Sequence, residues 1–166
     1  MGIKACERAS IDVMGPFPVT SSNNKYLLTI TDLATRWCEV IPIPNQTAIT
    51  IAHAFITHFC LRFGPPRTLL SDRGANFLSQ LLAEVCKILS IQQKFTSAYH
   101  PQTNGISERA HAVLQASLAK MVDFEHADWD RVIPYVVHAY LTSQLEFINQ
   151  LTLIIFISIL SLTITP

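Results

Sequence analysis

The stretch that decides the fold runs from Thr68 to Glu108 and reads TLLSDRGANFLSQLLAEVCKILSIQQKFTSAYHPQTNGISE. Its first four residues form a short apolar segment of β type, which stops at the turn-forming residues Asp72-Arg73-Gly74. Apolar residues then recur at helical spacing, which predicts a helix that is capped by Asn76. The apolar face of this helix would carry Phe77, Leu78, Leu81, Leu82, Val85, Ile88 and Leu89. A second short strand is predicted over residues 91–95.

Two acidic residues of this stretch, Asp72 and Glu108, lie at the boundaries of predicted elements. Asp72 follows a strand end, and Glu108 falls in the first turn of the helix that begins after the loop 99–105, where proline and Asn-Gly exclude regular structure. Asp12, in an earlier predicted strand, can complete a cluster of three. Hard cations such as Mg²⁺ and Mn²⁺ prefer these oxygen ligands. A lone aspartate at a strand end is more often a turn or cap residue, so spacing alone leaves both interpretations open.

Further elements are predicted on both sides of the opening stretch. Strands over 9–14, 26–32 and 37–43 form an antiparallel meander. A helix over 46–63 would have a broad apolar face of Ile49, Ala52, His53, Phe55, Ile56, Phe59 and Cys60, and His53 is interpreted as an ordinary surface or partly buried histidine. A last helix over 129–140 would pack through Val132, Ile133, Val136, Val137 and Tyr140.

The composition is that of one globular domain. The 166 residues are 49% hydrophobic, which argues against disorder. The 12 basic and 12 acidic side chains give zero formal charge, so no basic stripe indicates nucleic-acid binding. The four cysteines contain no C-x-x-C pair, which favours buried thiols in a reducing compartment over a zinc site. No leader pattern precedes the first motif, and we therefore expect a nuclear or cytoplasmic location rather than secretion.

Three motifs together resemble a known family. They are Ile11-Asp12-Val13-Met14-Gly15-Pro16-Phe17, Leu70-Ser71-Asp72-Arg73-Gly74-Ala75-Asn76-Phe77, and Tyr99-His100-Pro101-Gln102-Thr103-Asn104-Gly105 with Glu108-Arg109. The chain resembles the integrase catalytic core of gypsy-type LTR retrotransposons and retroviruses, of the RNase H-like superfamily, over about residues 7–140. The resemblance implies an α/β fold with a five-stranded mixed sheet flanked by helices. It also implies that Asp12, Asp72 and Glu108 match the D,D-x35-E triad, which leaves Asp32 in a structural role.

The same resemblance implies a chemistry. The triad would hold two Mg²⁺ or Mn²⁺ ions for DNA 3′-end processing and strand transfer, with DNA as the partner and a homo-oligomer as the assembly. DNA contacts would come from His100, Gln102, Asn104, Arg109 and His111, although loop capping explains the first three equally well. Where relatives have Gln-Val before the glutamate, this chain has Ile106-Ser107, so an amide that would contact DNA is missing.

The end of the chain departs from the family. Residues 141–166 form a divergent apolar tail whose longest apolar run, 151–160, is shorter than the roughly 20 residues of a membrane span. The pattern favours a truncated or frameshifted end, ahead of a substitute buried helix or strand and of a membrane anchor, and a membrane partner is not expected. Functionally, the sequence favours an integrase core. A catalytically inactive or domesticated fragment that binds nucleic acid or protein is the alternative, and a membrane-tethered structural protein is supported by the tail alone. Whether the isolated chain is an active enzyme is open at this point.

Overall fold

The computed structural model describes residues 5–95 and 128–145, with side chains as far as residue 142. Its elements are, in chain order, β1 (Arg8–Met14), β2 (Tyr26–Asp32), β3 (Cys38–Ile43), α1 (Ala48–Phe55), α2 (Leu61–Phe63), β4 (Thr68–Ser71), α3 (Gln80–Ile88), β5 (Gln92–Phe95) and α4 (Trp129–Leu145). A π-helical turn, Ile56–Cys60, joins α1 to α2. The helix predicted after Glu108 and residues 146–166 of the tail lie outside the described residues.

The strands form one five-stranded mixed sheet in the order β3-β2-β1-β4-β5. The pairs β1–β2 and β2–β3 are antiparallel, which confirms the predicted meander. The pairs β1–β4 and β4–β5 are parallel, and helical segments connect β3 to β4 and β4 to β5. The predicted fold class, an α/β domain with a mixed sheet and flanking helices, is therefore confirmed.

The helix predicted over 46–63 forms, but it buries a different face. It begins at Ala48, where the Thr47 side chain accepts a hydrogen bond from the backbone of Thr50. Ile49 is 72% exposed, contrary to the prediction, whereas His53 is exposed, as expected of a surface histidine. The buried side chains are Ile51, Ala52, Ala54, Phe55, Phe59 and Cys60. This segment has two overlapping apolar stripes, one with Ile49 and one with Ile51. Packing against the sheet buries the stripe with Ile51.

The helix after Asp72 also begins later than predicted. Ser79 rather than Asn76 caps it, by accepting a hydrogen bond from the backbone of Leu82. Phe77 is buried as expected, but it lies in the turn before the helix and not on its face. The side chains of Leu78, Leu81 and Ile88 are exposed, so this part of the prediction was wrong.

Alternation along β1 divides the core into two layers. Ala9 and Ile11 point to the first face of the sheet, against α1 and α3, whereas Met14 points to the second face. The second face packs on α4 through Leu27, Cys38, Trp129, Ile133, Val136 and Tyr140. The predicted last helix and its inward residues are thus confirmed, and the helix extends to Leu145. Within the parts of the chain that the structure describes, none of the helices has the length and apolarity to cross a bilayer.

Hydrogen bonds join the first turn of α4 to the loop between β1 and β2. Oδ2 of Asp130 accepts hydrogen bonds from Thr20 Oγ1 and from Asn24 Nδ2, both at 2.9 Å. Burial acts to raise the pKa of Asp130, but hydrogen bonds outweigh it and hold that pKa below its usual value; the donors are Asn24, Thr20, Ser22 and the backbone of Arg131. The ionised carboxylate is therefore the form that the fold prefers.

This preference predicts a pH-dependent stability. Because the pKa of Asp130 is lower in the folded than in the unfolded protein, its contribution is complete above the unfolded value of about 4 and disappears as the pH falls through the folded pKa. We expect the stability difference between the wild type and Asp130→Asn to shrink as the pH falls from about 5 towards 2. Urea denaturation followed by circular dichroism measures it, with Asp128→Asn as the exposed control. A difference that does not vary with pH would contradict this role.

Candidate metal centre at the ends of two parallel strands

The sheet brings two of the predicted carboxylates side by side. β1 and β4 are neighbouring parallel strands, and their last recorded pair is Ser10 with Leu70. Asp12 and Asp72 each follow this pair by two residues, Asp12 within β1 and Asp72 one residue beyond the end of β4. Neighbouring strands lie about 4.8 Å apart. Asp12 thus lies in the last three residues of β1, and Asp72 directly follows β4, so both are near the carboxyl-terminal ends of adjacent strands, where ligands of open α/β sheets bind.

A tight turn sets the position of Asp72. Its side chain is exposed, and its Oδ1 accepts a hydrogen bond of 2.9 Å from the backbone N–H of Gly74. The backbone N–H groups of Phe77 and Leu78 donate in turn to the carbonyl oxygen of Gly74, at 2.9 and 3.0 Å. The buried Phe77 ring anchors this turn in the core. The carboxylate is therefore held on a short loop that is fixed at both ends.

Asp12 occupies a different environment. It is half-buried within β1, and its Oδ1 accepts a hydrogen bond of 2.8 Å from the backbone N–H of Val13. The hydroxyl of Thr29, its partner on β2, donates to the carbonyl oxygen of Asp12 at 3.3 Å. By alternation Asp12 shares the second face of the sheet with Met14. The rigid strand thus fixes one carboxylate and the turn fixes the other.

Asp32, the rival to Asp12, is committed to its own turn. Its side chain is fully buried, and its two oxygens accept from the backbone of Ala34 at 3.4 Å, from the backbone of Thr35 at 3.0 Å and from the Thr35 hydroxyl at 2.6 Å. These contacts are those of a capping residue. They agree with the structural role that the sequence analysis gave it.

The carboxylates of Asp12 and Asp72 fit a hard divalent cation. Both are oxygen donors on neighbouring strand ends, and one is open to solvent, as Mg²⁺ or Mn²⁺ requires in order to keep waters or bind phosphate. Within residues 5–95 and 128–145, no three histidine, cysteine or acidic side chains come together as a metal site. The third predicted ligand, Glu108, lies outside those residues. The predicted DNA contacts His100, Gln102, Asn104, Arg109 and His111 also lie outside them.

Two residues near the site were not singled out from the sequence. Lys94 pairs with Leu70 across β4 and β5, so by register it lies on the same face as Asp72, and its side chain is exposed. Gln93, its neighbour, points to the opposite face and donates from Nε2 to the carbonyl oxygen of Phe77 at 2.8 Å. No local sequence pattern identifies them, because only the pairing of β5 with β4 brings this Gln-Lys dipeptide close to Asp72.

A side chain at Gly74 would crowd the turn that carries Asp72. A Cβ atom there would lie 3.0 Å from Asp72 Oδ1 and 3.0 Å from Asn76 Oδ1. We expect Gly74→Ala to displace the Asp72 carboxylate and to weaken Mn²⁺ binding by about tenfold, as changes around metal ligands do. Mn²⁺ titration monitored by electron paramagnetic resonance measures this.

Gly64→Ala provides the control for Gly74→Ala. A Cβ at Gly64 would meet no atom within 4 Å, but φ there is +84°, a value that residues other than glycine rarely adopt. This change should lower the thermal midpoint of unfolding and leave Mn²⁺ binding as it is. Equal Mn²⁺ affinity in the two variants would show that the turn does not position the carboxylate.

Comparison with known proteins identifies similar chains. Residues 4–101 match the family model of the integrase core domain. The chain is 32% identical over 140 residues, 84% of its length, to the retrovirus-related Pol polyprotein from transposon 412 of Drosophila melanogaster. It is 31% identical over 138 residues, 82% of its length, to the gypsy retrotransposon integrase-like protein 1 of Bos taurus. It spans 11% of the first relative and 27% of the second.

A solved structure shares the fold. The catalytic core domain of BIV integrase superposes with a TM-score of 0.62 at 21% identity, over 83% of this chain and 82% of that chain. The similarity extends through the sheet and its flanking helices, and at this identity it concerns the fold. The sheet described above accordingly has the fold of that catalytic core domain.

Proposed function

The chain belongs to the integrase core domain family, and on that premise we propose that it is the catalytic core of a retrotransposon integrase, acting on DNA. The observation that supports the proposal is that Asp12 and Asp72 each follow by two residues the pair of Ser10 and Leu70, which joins two neighbouring parallel strands. Glu108 supplies the third carboxylate of the proposed site. The proposed place of action is nuclear or cytoplasmic.

The proposed reaction is an exchange of phosphodiester bonds. Water attacks a phosphorus atom near the 3′ end of the element DNA and releases a free 3′-hydroxyl. That hydroxyl then attacks a phosphorus atom of the target strand, which forms one P–O bond and breaks another. When bound, two Mg²⁺ or Mn²⁺ ions would supply activation of the attacking oxygen and stabilisation of the leaving oxygen. Asp12 and Asp72 have the oxygen donors to hold such ions, and no covalent protein intermediate is required.

Asp12 and Asp72 have different proposed roles because one is half-buried and the other is exposed. Asp12, half-buried in a central strand, offers a fixed carboxylate and little movement. Asp72, exposed on its turn, stands where a DNA phosphate can approach. The hydrogen bond from the backbone of Gly74 leaves the second carboxylate oxygen of Asp72 available to a cation.

Strand transfer and its reversal test the proposal. Wild-type protein and Asp72→Asn are compared on a labelled branched DNA substrate with Mg²⁺ or Mn²⁺, and without metal. Activity that requires metal and disappears in Asp72→Asn is the expected result. A folded wild type that binds metal without cleaving or joining DNA would defeat the catalytic proposal. A folded wild type that binds no metal would defeat the three-carboxylate site itself.

A binding module without catalysis is the second candidate. It is favoured by the pair Ile106-Ser107, which stands where relatives have Gln-Val and so removes an amide from the handling of a DNA substrate. A core of this kind would bind nucleic acid or protein and leave the chemistry to other domains. In the assay above it would bind DNA, and the DNA would stay uncut in both variants.

Lys94 is a proposed contact to a DNA phosphate. It lies on the face of Asp72, one strand away, and its ammonium group is exposed. We expect Lys94→Ala to weaken DNA binding at all sequences and to lower the slope of log K against log salt by about 0.9 for duplex DNA.

Lys87→Ala is the matched control for Lys94→Ala. Lys87 is an exposed lysine on α3 that pairs with Glu84 at 3.9 Å, on the first face of the sheet. Fluorescence anisotropy with labelled DNA over a range of salt concentrations measures both variants. Equal affinity losses in the two variants would show a general charge effect rather than a contact at Lys94.

A further inference from the structure

Gln93 makes a long-range contact to the loop that carries Asp72. Its Nε2 donates a hydrogen bond of 2.8 Å to the carbonyl oxygen of Phe77, across 16 residues of sequence. Gln93 pairs with Leu69 and is half-buried on the first face of the sheet. The bond ties the edge strand β5 to the turn between β4 and α3. It is thus a connection that the strand order creates.

The contact at Phe77 leads by hydrogen bonds to the carboxylate. The backbone N–H of Phe77 donates to the carbonyl oxygen of Gly74 at 2.9 Å. The backbone N–H of Gly74 donates in turn to Oδ1 of Asp72 at 2.9 Å. Three hydrogen bonds therefore connect the side-chain amide of Gln93, through the backbone of Phe77 and Gly74, to the carboxylate of Asp72.

We propose that Gln93 is a positioning residue for Asp72, which acts through the Phe77 carbonyl and the Gly74 amide to hold the carboxylate towards Asp12. The inference rests on the proposed metal site. Asp72 lies beyond the last residue of β4, so strand pairing alone does not fix its direction. The aromatic ring of Phe77 fixes the depth of the turn in the core, and the amide of Gln93 fixes the rotation of the peptide that follows Phe77.

The glutamines of β5 supply a matched pair. Gln92 precedes Gln93, and by alternation its side chain points to the opposite face, where it is exposed. Gln93→Met keeps the length of the side chain and removes the donor, and Gln92→Met makes the same change away from the turn. Gln93→Asn is a second variant that keeps the amide but shortens its reach.

The test combines two measurements on the full chain. Mn²⁺ binding is followed by electron paramagnetic resonance. The amide resonance of Gly74 is followed by ¹⁵N NMR in the absence of metal, because a hydrogen bond to a carboxylate moves it downfield. A role in stability alone would lower the unfolding temperature and leave both readouts of the folded protein unchanged.

We expect Gln93→Met and Gln93→Asn to bind Mn²⁺ about three- to tenfold more weakly, near the lower end of the range for residues that orient metal ligands. The Gly74 amide should move upfield in both variants, whereas Gln92→Met should match the wild type in both measurements. Mn²⁺ affinity in a folded Gln93 variant within twofold of Gln92→Met, with an unmoved Gly74 amide, would overturn the inference. If the wild type binds no Mn²⁺, the proposed metal site fails with it, and the Gly74 amide still decides whether Gln93 holds the turn.

Discussion

Replacing Asp12 by asparagine is expected to reduce metal-dependent strand transfer by at least about 100-fold, because even residues that merely orient metal ligands contribute 10–100-fold. The folded state should survive, since Asn keeps the shape of the side chain and can still accept the hydrogen bond from the backbone of Val13. The assay uses branched DNA with Mg²⁺ or Mn²⁺, beside a circular dichroism melting curve. Near-normal activity in folded Asp12→Asn would remove this residue from the site.

Asp32→Asn is the matched control for Asp12→Asn, because it makes the same chemical change at the rival aspartate. Asp32 is fully buried and accepts from the Ala34 and Thr35 backbone and from the Thr35 hydroxyl. An amide turns one of the two acceptor oxygens into a donor, which should lower the free energy of unfolding by about 1–3 kcal/mol. Metal binding by the folded protein should be unaffected. Loss of metal binding in Asp32→Asn without loss of stability would exchange the roles of the two residues.

Truncating Trp129 should have the largest effect on stability. Its ring is 2% exposed, its Nε1 donates to the carbonyl oxygen of Pro18 at 2.6 Å, and its centroid lies 5.3 Å from that of Phe17. Trp129→Ala leaves a cavity at the start of α4 and an unpaired carbonyl, so we expect a loss of about 3–5 kcal/mol. That is a large part of the roughly 5–15 kcal/mol that stabilises a typical domain. Urea denaturation followed by circular dichroism measures it.

Tyr135→Ala is the matched control for Trp129→Ala, since it removes an aromatic ring from the same helix. Tyr135 is 69% exposed, and its loss should change the stability by no more than about 0.5 kcal/mol. Trp129→Phe should fall between the two variants, because it keeps a buried ring and loses the bond to Pro18. A similar stability for Trp129→Ala and Tyr135→Ala would mean that the packing of α4 on the second face of the sheet contributes little.

The sequence by itself predicted the strands and the last helix from local patterns, and its resemblance to a known family implied the fold class. Alternation in the strands, the Asp72-Arg73-Gly74 turn and the apolar repeat of the last helix are local patterns, and local geometry suffices to interpret them. The motif around Asp72 further pointed to the integrase core family, to which the chain belongs. Buried positions of α4, such as Ile133 and Val136, were predicted correctly because a single apolar stripe runs along that helix.

Other features were decided only by the tertiary structure. The first helix has two overlapping apolar stripes, and packing on the sheet buried Ile51 and exposed Ile49, since helical period alone does not distinguish them. The parallel pairing of β1, which carries Asp12, with β4, which precedes Asp72, depends on strand order and not on spacing in the sequence. The contact of Gln93 with the Asp72 turn arises in the same way. Each of these depends on which strand lies beside which, and that is set by burial of the whole sheet between two layers of helices.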